Sequence, residues 1–224
     1  MKKRILFATT LCILLLTGCQ LDNYDQPKSM LTGTILYDGE AVGVRTDATR
    51  LALWQDGYDF KSEIPVHIAQ DGTYSVALFD GEYQMTRKGG APWEEQRGDT
   101  IRIRVKGNTI QDVPVNPYFV IRNETYSKQG TTITAKFIVR QGVEAAKLSA
   151  INLYLGKTVL TDENQKDQST PCNISTVVIG QEVTITANVP GVLSNASYLF
   201  ARIGVRATAS NEFCYTPSTK IQLK

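Results

Sequence analysis

The feature that most restricts how this chain can fold is an alternation of apolar and polar side chains with a period of two, which recurs from about residue 30 onward and is interrupted by turn-forming pairs. MLTGTILYDGEAVGV sets Leu31, Gly33 and Ile35 against Thr32, Thr34 and Leu36, then turns at Asp38-Gly39. TRLALWQ reads as a further strand, and EIPVHIAQDGTYSVALFDGEYQMTRKGG holds three more, separated by Asp71-Gly72 and Asp80-Gly81. TIRIRVKGNTIQDVPV closes the set, with Ile101, Ile103 and Val105 on one face and Arg102, Arg104 and Lys106 on the other. Successive side chains of a strand point to opposite faces, so such runs build a sheet with one dry and one wet face. Asn116-Pro117-Tyr118 follows, and a proline cannot serve a central strand, which places a boundary near residue 116. Beyond it YFVIRNE, TTITAKFIVRQ, SAINLYLGK, EVTITANVP, SYLFARIGVRAT and FCYTPSTKIQLK repeat the style, with Ile133, Ala135, Phe137 and Val139 sharing a face. Only EAAKLSA suggests a helical turn. The expectation is an all-β chain of two β-sandwich domains in tandem, residues 30–115 and 116–224.

The first 29 residues are of another kind. Lys2, Lys3 and Arg4 precede a run from Ile5 to Leu16 that has the length of a secretory h-region and is too short to span a bilayer. Leu16-Thr17-Gly18-Cys19 resembles the lipobox of bacterial lipoproteins, which implies cleavage of residues 1–18 and lipidation of Cys19. Residues 19–29 are then a polar, lipidated tether, and the mature chain is held on a membrane without crossing it. That cleavage removes Lys2, Lys3 and Arg4 from a total of 24 basic residues and none of the 22 acidic ones, so the remainder is almost neutral. No basic face or run is left for a nucleic-acid partner. Cys12 leaves with the signal, and the two remaining cysteines of an exported chain, Cys172 and Cys214, are expected to form one disulfide. With the single histidine, His67, they do not make up a recognised zinc spacing.

Candidate chemistry is sparse. His67 takes the polar face of EIPVHIAQ, and no serine elbow accompanies it. Glu94 with Glu95, and Asp80 with Glu82, sit in or beside turns where carboxylates are solvated, not paired across a cleft as glycoside hydrolysis requires. Asp162, Glu163, Asn164 and Asp167 offer oxygen in one loop but lack the glycine and terminal glutamate of an EF-hand. No catalytic residue, metal or cofactor is therefore expected. The aromatic residues are more informative: Trp54, Tyr58 and Phe60 cluster in LALWQDGYDF, and Trp93 stands in RKGGAPWEEQRGD among turn formers and hydroxyl-bonding side chains. Sugar rings stack on aromatic faces, so Trp93, joined by Trp54 and Tyr58, is the expected ligand site; the alternative is that these rings plug the sandwich ends.

LTGTILYDGEAV, DGTYSVALFDGEYQM and IRIRVKGNTIQDVPV resemble the transthyretin-like or carboxypeptidase-regulatory sandwich at Gly33, Ile35, Asp38, Asp71, Gly72, Tyr74, Gly81 and Tyr83. SYLFARIGVRA and the strand after it are similar to fibronectin type III or immunoglobulin-like modules. The order of lipobox, LDNYD, first sandwich, VNPYFVIRNE and second sandwich resembles the DUF3823 family of Bacteroidota surface lipoproteins. That resemblance implies an accessory role at the outside of the outer membrane, beside a polysaccharide transporter and its binding lipoprotein, and supplies no catalytic residues. Asp99-Thr100-Ile101 matches the short O-glycosylation pattern resembling that of exported proteins of the phylum, with Thr100 as acceptor. The leading expectation is a non-catalytic, lipid-anchored glycan-binding protein. An assembly protein docking a transport complex comes second, and a fimbrial subunit third.

Overall fold

The computed structural model describes residues 25–57, 59–95 and 98–224. The expected signal segment, Cys19 and Tyr58 lie outside the described residues. The first half forms β1 (Ser29–Tyr37), β2 (Glu40–Ala41), β3 (Arg50–Gln55), β4 (Ile64–His67), β5 (Thr73–Leu78), β6 (Gly81–Arg87), β7 (Ile101–Val105), β8 (Asn108–Ile110) and β9 (Val113–Pro114). The second forms β10 (Phe119–Gln129), β11 (Thr132–Gln141), β12 (Leu148–Gly156), β13 (Gln168–Pro171), β14 (Glu182–Asn188), β15 (Tyr198–Ala207), β16 (Cys214–Tyr215) and β17 (Thr219–Gln222). The chain is all-β, and EAAKLSA is a turn that leads into β12.

In the first sandwich β1 pairs with β2 and β5 antiparallel and with β8 and β9 parallel, facing a second sheet ordered β4-β3-β6-β7. Asp38 and Gly39, at φ 52° and 78°, make the two-residue hairpin turn between β1 and β2. Gly33 is required by packing: a Cβ there would stand 1.9 Å from the carbonyl oxygen of Gln111, which accepts a hydrogen bond from the Tyr74 hydroxyl opposite Gly33. Leu31, Ile35, Val66, Ile68, Ile103 and Val105 are buried on the faces that alternation assigned them.

The second sandwich opposes sheet β10-β11-β14 to sheet β13-β12-β15-β16, with β17 also on β15. Ile133, Ala135, Phe137 and Val139 are all buried. The expected Cys172–Cys214 disulfide is corrected here: both thiols are free. Cys172 bonds through its amide to Ile151, Ile151 pairs with Val205, and Val205 pairs with Cys214. The two cysteines thus sit in one row across four strands, roughly 14 Å apart at three interstrand spacings, whereas a disulfide needs Cα atoms within about 7 Å. Burial pushes the Cys172 thiol up and that of Cys214 to about 12, so neither is a thiolate at neutral pH.

A broad seam joins the sandwiches, and one hydrophobic cluster runs through both. Arg202 on β15 is 1% exposed although its side chain leaves the face opposite the sandwich core. Its guanidinium donates to the carbonyls of Thr216 (2.8 Å), Val44 (3.0 Å) and Gln70 (2.7 Å), and lies 4.4 Å from the centre of the Tyr215 ring. Burial lowers its pKa to about 10, which leaves it charged at neutral pH. The Tyr215 amide donates to Gly43 at 2.9 Å, Arg45 pairs with Glu212 at 2.7 Å, and Arg122 pairs with Glu40 at 2.8 Å.

Candidate functional site

The structure separates the two tryptophans that the sequence grouped. Trp93 is 2% exposed and belongs to the continuous core, so its place in a ligand site is corrected. The loop that carries it folds under the second sandwich: Glu94 donates its amide to Asn116, Tyr118 donates to Pro92, Ser210 reaches the Gly90 carbonyl, and Trp93 itself bridges to Pro117. Turn formers and charges around Trp93 suggested a solvated loop. The second sandwich covers it instead, and alternation within the first cannot reveal that.

Trp54 keeps part of its surface. It lies on β3 between Leu53 and Gln55, on the face away from the buried Leu51, Leu53, Tyr83 and Met85. Strand pairing places Trp54 beside Gln84 of β6 and Gln84 beside Arg102 of β7, one row across the outer face of the sheet. The next row holds Asp56, Glu82 and Arg104. The Gln84 amide donates to both oxygens of Asp56, at 2.8 and 3.0 Å, and Lys61 reaches the same carboxylate at 2.9 Å. These bonds, Gln84's foremost, hold the Asp56 pKa below its ordinary value. Lys61 draws the β3–β4 loop onto this end of the sheet. Its neighbour Phe60 is 87% exposed and borders a cleft of 200 Å³ with Gln55, Ser62 and Ile64. A partly open indole, a largely open phenyl ring, an amide and a carboxylate held by their hydrogen bonds, and an exposed guanidinium thus lie at one end of one sheet. Reasoning from the sequence named Trp54 and Phe60 but missed Gln84 and Arg102, whose contribution comes from register.

The remaining candidates take structural or solvated places. His67 is exposed and meets Asp47 at 2.8 Å. Glu94 accepts from the Asn116 side chain, Asp80 accepts from Ser29 and the Gly107 amide, and Glu82 pairs with Arg104. Asp162 is buried and caps its own loop by accepting from the amides of Asn164 and Gln165, while Asp167 accepts from that of Lys157. Thr100 is exposed just ahead of β7. Among the described residues no group of three or more His, Cys, Asp or Glu side chains is disposed to hold a metal, and no helix is long and apolar enough to cross a membrane.

Comparison with known proteins matches two family models, the N-terminal domain of the protein of unknown function DUF3823 over residues 29–116 and the domain of unknown function DUF3823_C over residues 119–220. Among solved structures, a DUF3823 family protein from Bacteroides ovatus is 50% identical with a TM-score of 0.85, and one from Parabacteroides merdae is 34% identical with a TM-score of 0.80. A candidate carbohydrate-binding protein from Bacteroides uniformis is 21% identical with a TM-score of 0.73, a likeness of fold. Each alignment covers 88% of this chain and 100% of the other. No curated protein matches the chain.

Proposed function

The chain belongs to the DUF3823 family, and we propose that this member is a non-catalytic glycan-binding protein, lipid-anchored through Cys19 at the outer face of the outer membrane and serving polysaccharide uptake. The observation that carries the binding role is the outer face of the β4-β3-β6-β7 sheet, where Trp54 stands in register with Gln84 and Arg102 and next to Asp56 and the exposed Phe60. The C–H face of a pyranose stacks on an indole, and planar amide and carboxylate groups fixed beside it bond the ring hydroxyls. The name borne by the Bacteroides uniformis protein agrees with such a role. A shallow platform of this kind binds weakly per site and gains by display of many copies on one membrane. Retardation in gels cast with a panel of polysaccharides tests it: wild type should be slowed by at least one polymer and Trp54→Ala released. Wild-type migration unchanged across the panel refutes it.

Partner docking is the second reading, and the edge of the second sandwich favours it. The Val189 amide bonds Thr131, so along β14 residues 187, 185 and 183 face β11 while the main-chain groups of Thr184 and Thr186 point away, beside a groove of 440 Å³. An edge with free main-chain groups accepts a partner's strand. Recovery of a transporter with wild type but not with a Thr184→Pro variant would support it.

A further inference from the structure

The outer face that carries Trp54 is rich in charged side chains, and its pairing pattern shows which of the cations lack a side-chain acceptor. The face and its flanking loops present Arg50, Lys61, Lys88, Arg102 and Arg104 together with the carboxylates of Asp56, Asp59, Glu63 and Glu82. Three of those carboxylates are engaged by the lysines and Arg104: Asp56 by Lys61 at 2.9 Å, Glu63 by Lys88 at 2.8 Å and Glu82 by Arg104 at 3.4 Å. His67 meets Asp47 at the margin. Among the described residues Arg50 and Arg102 have no side-chain acceptor, and both are exposed. Arg102 lies in Trp54's own row, two strands away and about 10 Å off. Arg50 lies on the same face of β3, four residues and about 13 Å along the strand. These two guanidinium groups, free of side-chain hydrogen bonds among the described residues although Arg102 lies near enough to Asp56 to lower its pKa, therefore flank the tryptophan at separations that a chain of linked sugar rings spans. The chain as a whole is close to neutral once the basic leader is set aside, so the attraction is local to this face.

Resting on the glycan-binding reading above, we propose that the ligand of the Trp54 face is an acidic polysaccharide, with a sugar ring on the indole and a carboxylate or sulfate group on Arg102, and with Arg50 meeting a second acidic group along the polymer. A guanidinium presents a planar fork of N–H donors that matches the paired oxygens of a carboxylate or sulfate, and it is less strongly hydrated than an ammonium. A neutral glycan would leave both guanidinium groups without an acid in hydrogen-bonding contact. An anionic lipid surface would use the charge without needing the ring.

The test is affinity electrophoresis of the protein in gels containing polygalacturonate or its fully methyl-esterified form, and dextran sulfate or dextran. Retardation is expected with at least one acidic polymer, about ten-fold weaker with its neutral counterpart, and weakened by added salt. Polygalacturonate alone identifies a carboxylate, dextran sulfate alone a sulfate. Arg102→Gln and Trp54→Ala should each lower the acidic affinity about ten-fold, with Arg102→Lys retaining more than Arg102→Gln. Equal retardation by esterified and free polymer, or Trp54-dependent retention of neutral glycans only, overturns the acidic inference while leaving the stacking platform intact. Failure of the whole polymer panel overturns both. Retention on vesicles of phosphatidylserine and phosphatidylcholine that Trp54→Ala leaves unchanged, without acidic-polymer binding, assigns the charge to a membrane surface and also overturns the proposal.

Discussion

The seam between the sandwiches and the outer face of the first one each contain a tryptophan and an arginine, in opposite circumstances. In the seam Trp93 and Arg202 are buried, and Arg202 directs its donors at carbonyls of both halves. On the outer face Trp54 is partly open, and Arg102 is exposed and, among the described residues, has no side-chain acceptor, its charge felt by Asp56 at a distance. The same residue types hold the molecule together in one place and remain available to a ligand in the other. The difference lies in whether a second structural unit covers them.

Breaking the seam should have the largest effect. Trp93→Ala leaves a cavity in the continuous core and should cost about 3 to 5 kcal/mol of stability in denaturant unfolding, while glycan retention by the remaining folded fraction stays unchanged. Retention lost with stability intact would reverse the roles assigned to the two tryptophans. Arg202→Met removes the donor from the carbonyls of Val44, Gln70 and Thr216 and should cost about 3 kcal/mol. The same change should broaden or split a single thermal transition, because one of the contacts that couple the halves is lost while Arg45–Glu212, Arg122–Glu40 and the shared core remain. One transition at the wild-type midpoint would show that Arg202 does not couple the sandwiches.

Changes on the outer face should leave stability nearly untouched. Trp54→Ala is expected to lower glycan affinity by about 1 to 2 kcal/mol, roughly ten-fold, with a melting temperature close to wild type. A large melting shift would mean that the indole supports the sheet and does not serve a ligand. The smallest effect concerns the cysteines: alkylation of the denatured, unreduced protein should label both Cys172 and Cys214, and reductant should leave the melting temperature unchanged. A reductant-dependent drop would place the two in contact and contradict the register of β12, β15 and β16.

Much of the fold was legible because strand formation depends on neighbours along the chain. Leu31 and Ile35, Ile103 and Val105, and Ile133 to Val139 face inward as alternation requires, and Asp38-Gly39 forms the hairpin turn that its tolerance of positive φ allows. Half of the candidate site was visible in the same way: Trp54 and Phe60 stood out as aromatics in a polar stretch, but Gln84 and Arg102 come from other strands and join them only through register.

By itself the sequence determined the class of structure, the strands, the turns and the inward faces, since each rests on a period or a backbone preference that acts over a few residues. The tertiary structure alone decided that Trp93 is core and Trp54 is surface, that Cys172 and Cys214 stand three strand spacings apart, and that Arg202 is a tie between sandwiches. Those outcomes depend on which strands become neighbours and which surface the second sandwich covers, and contacts between residues so distant along the chain leave no local pattern.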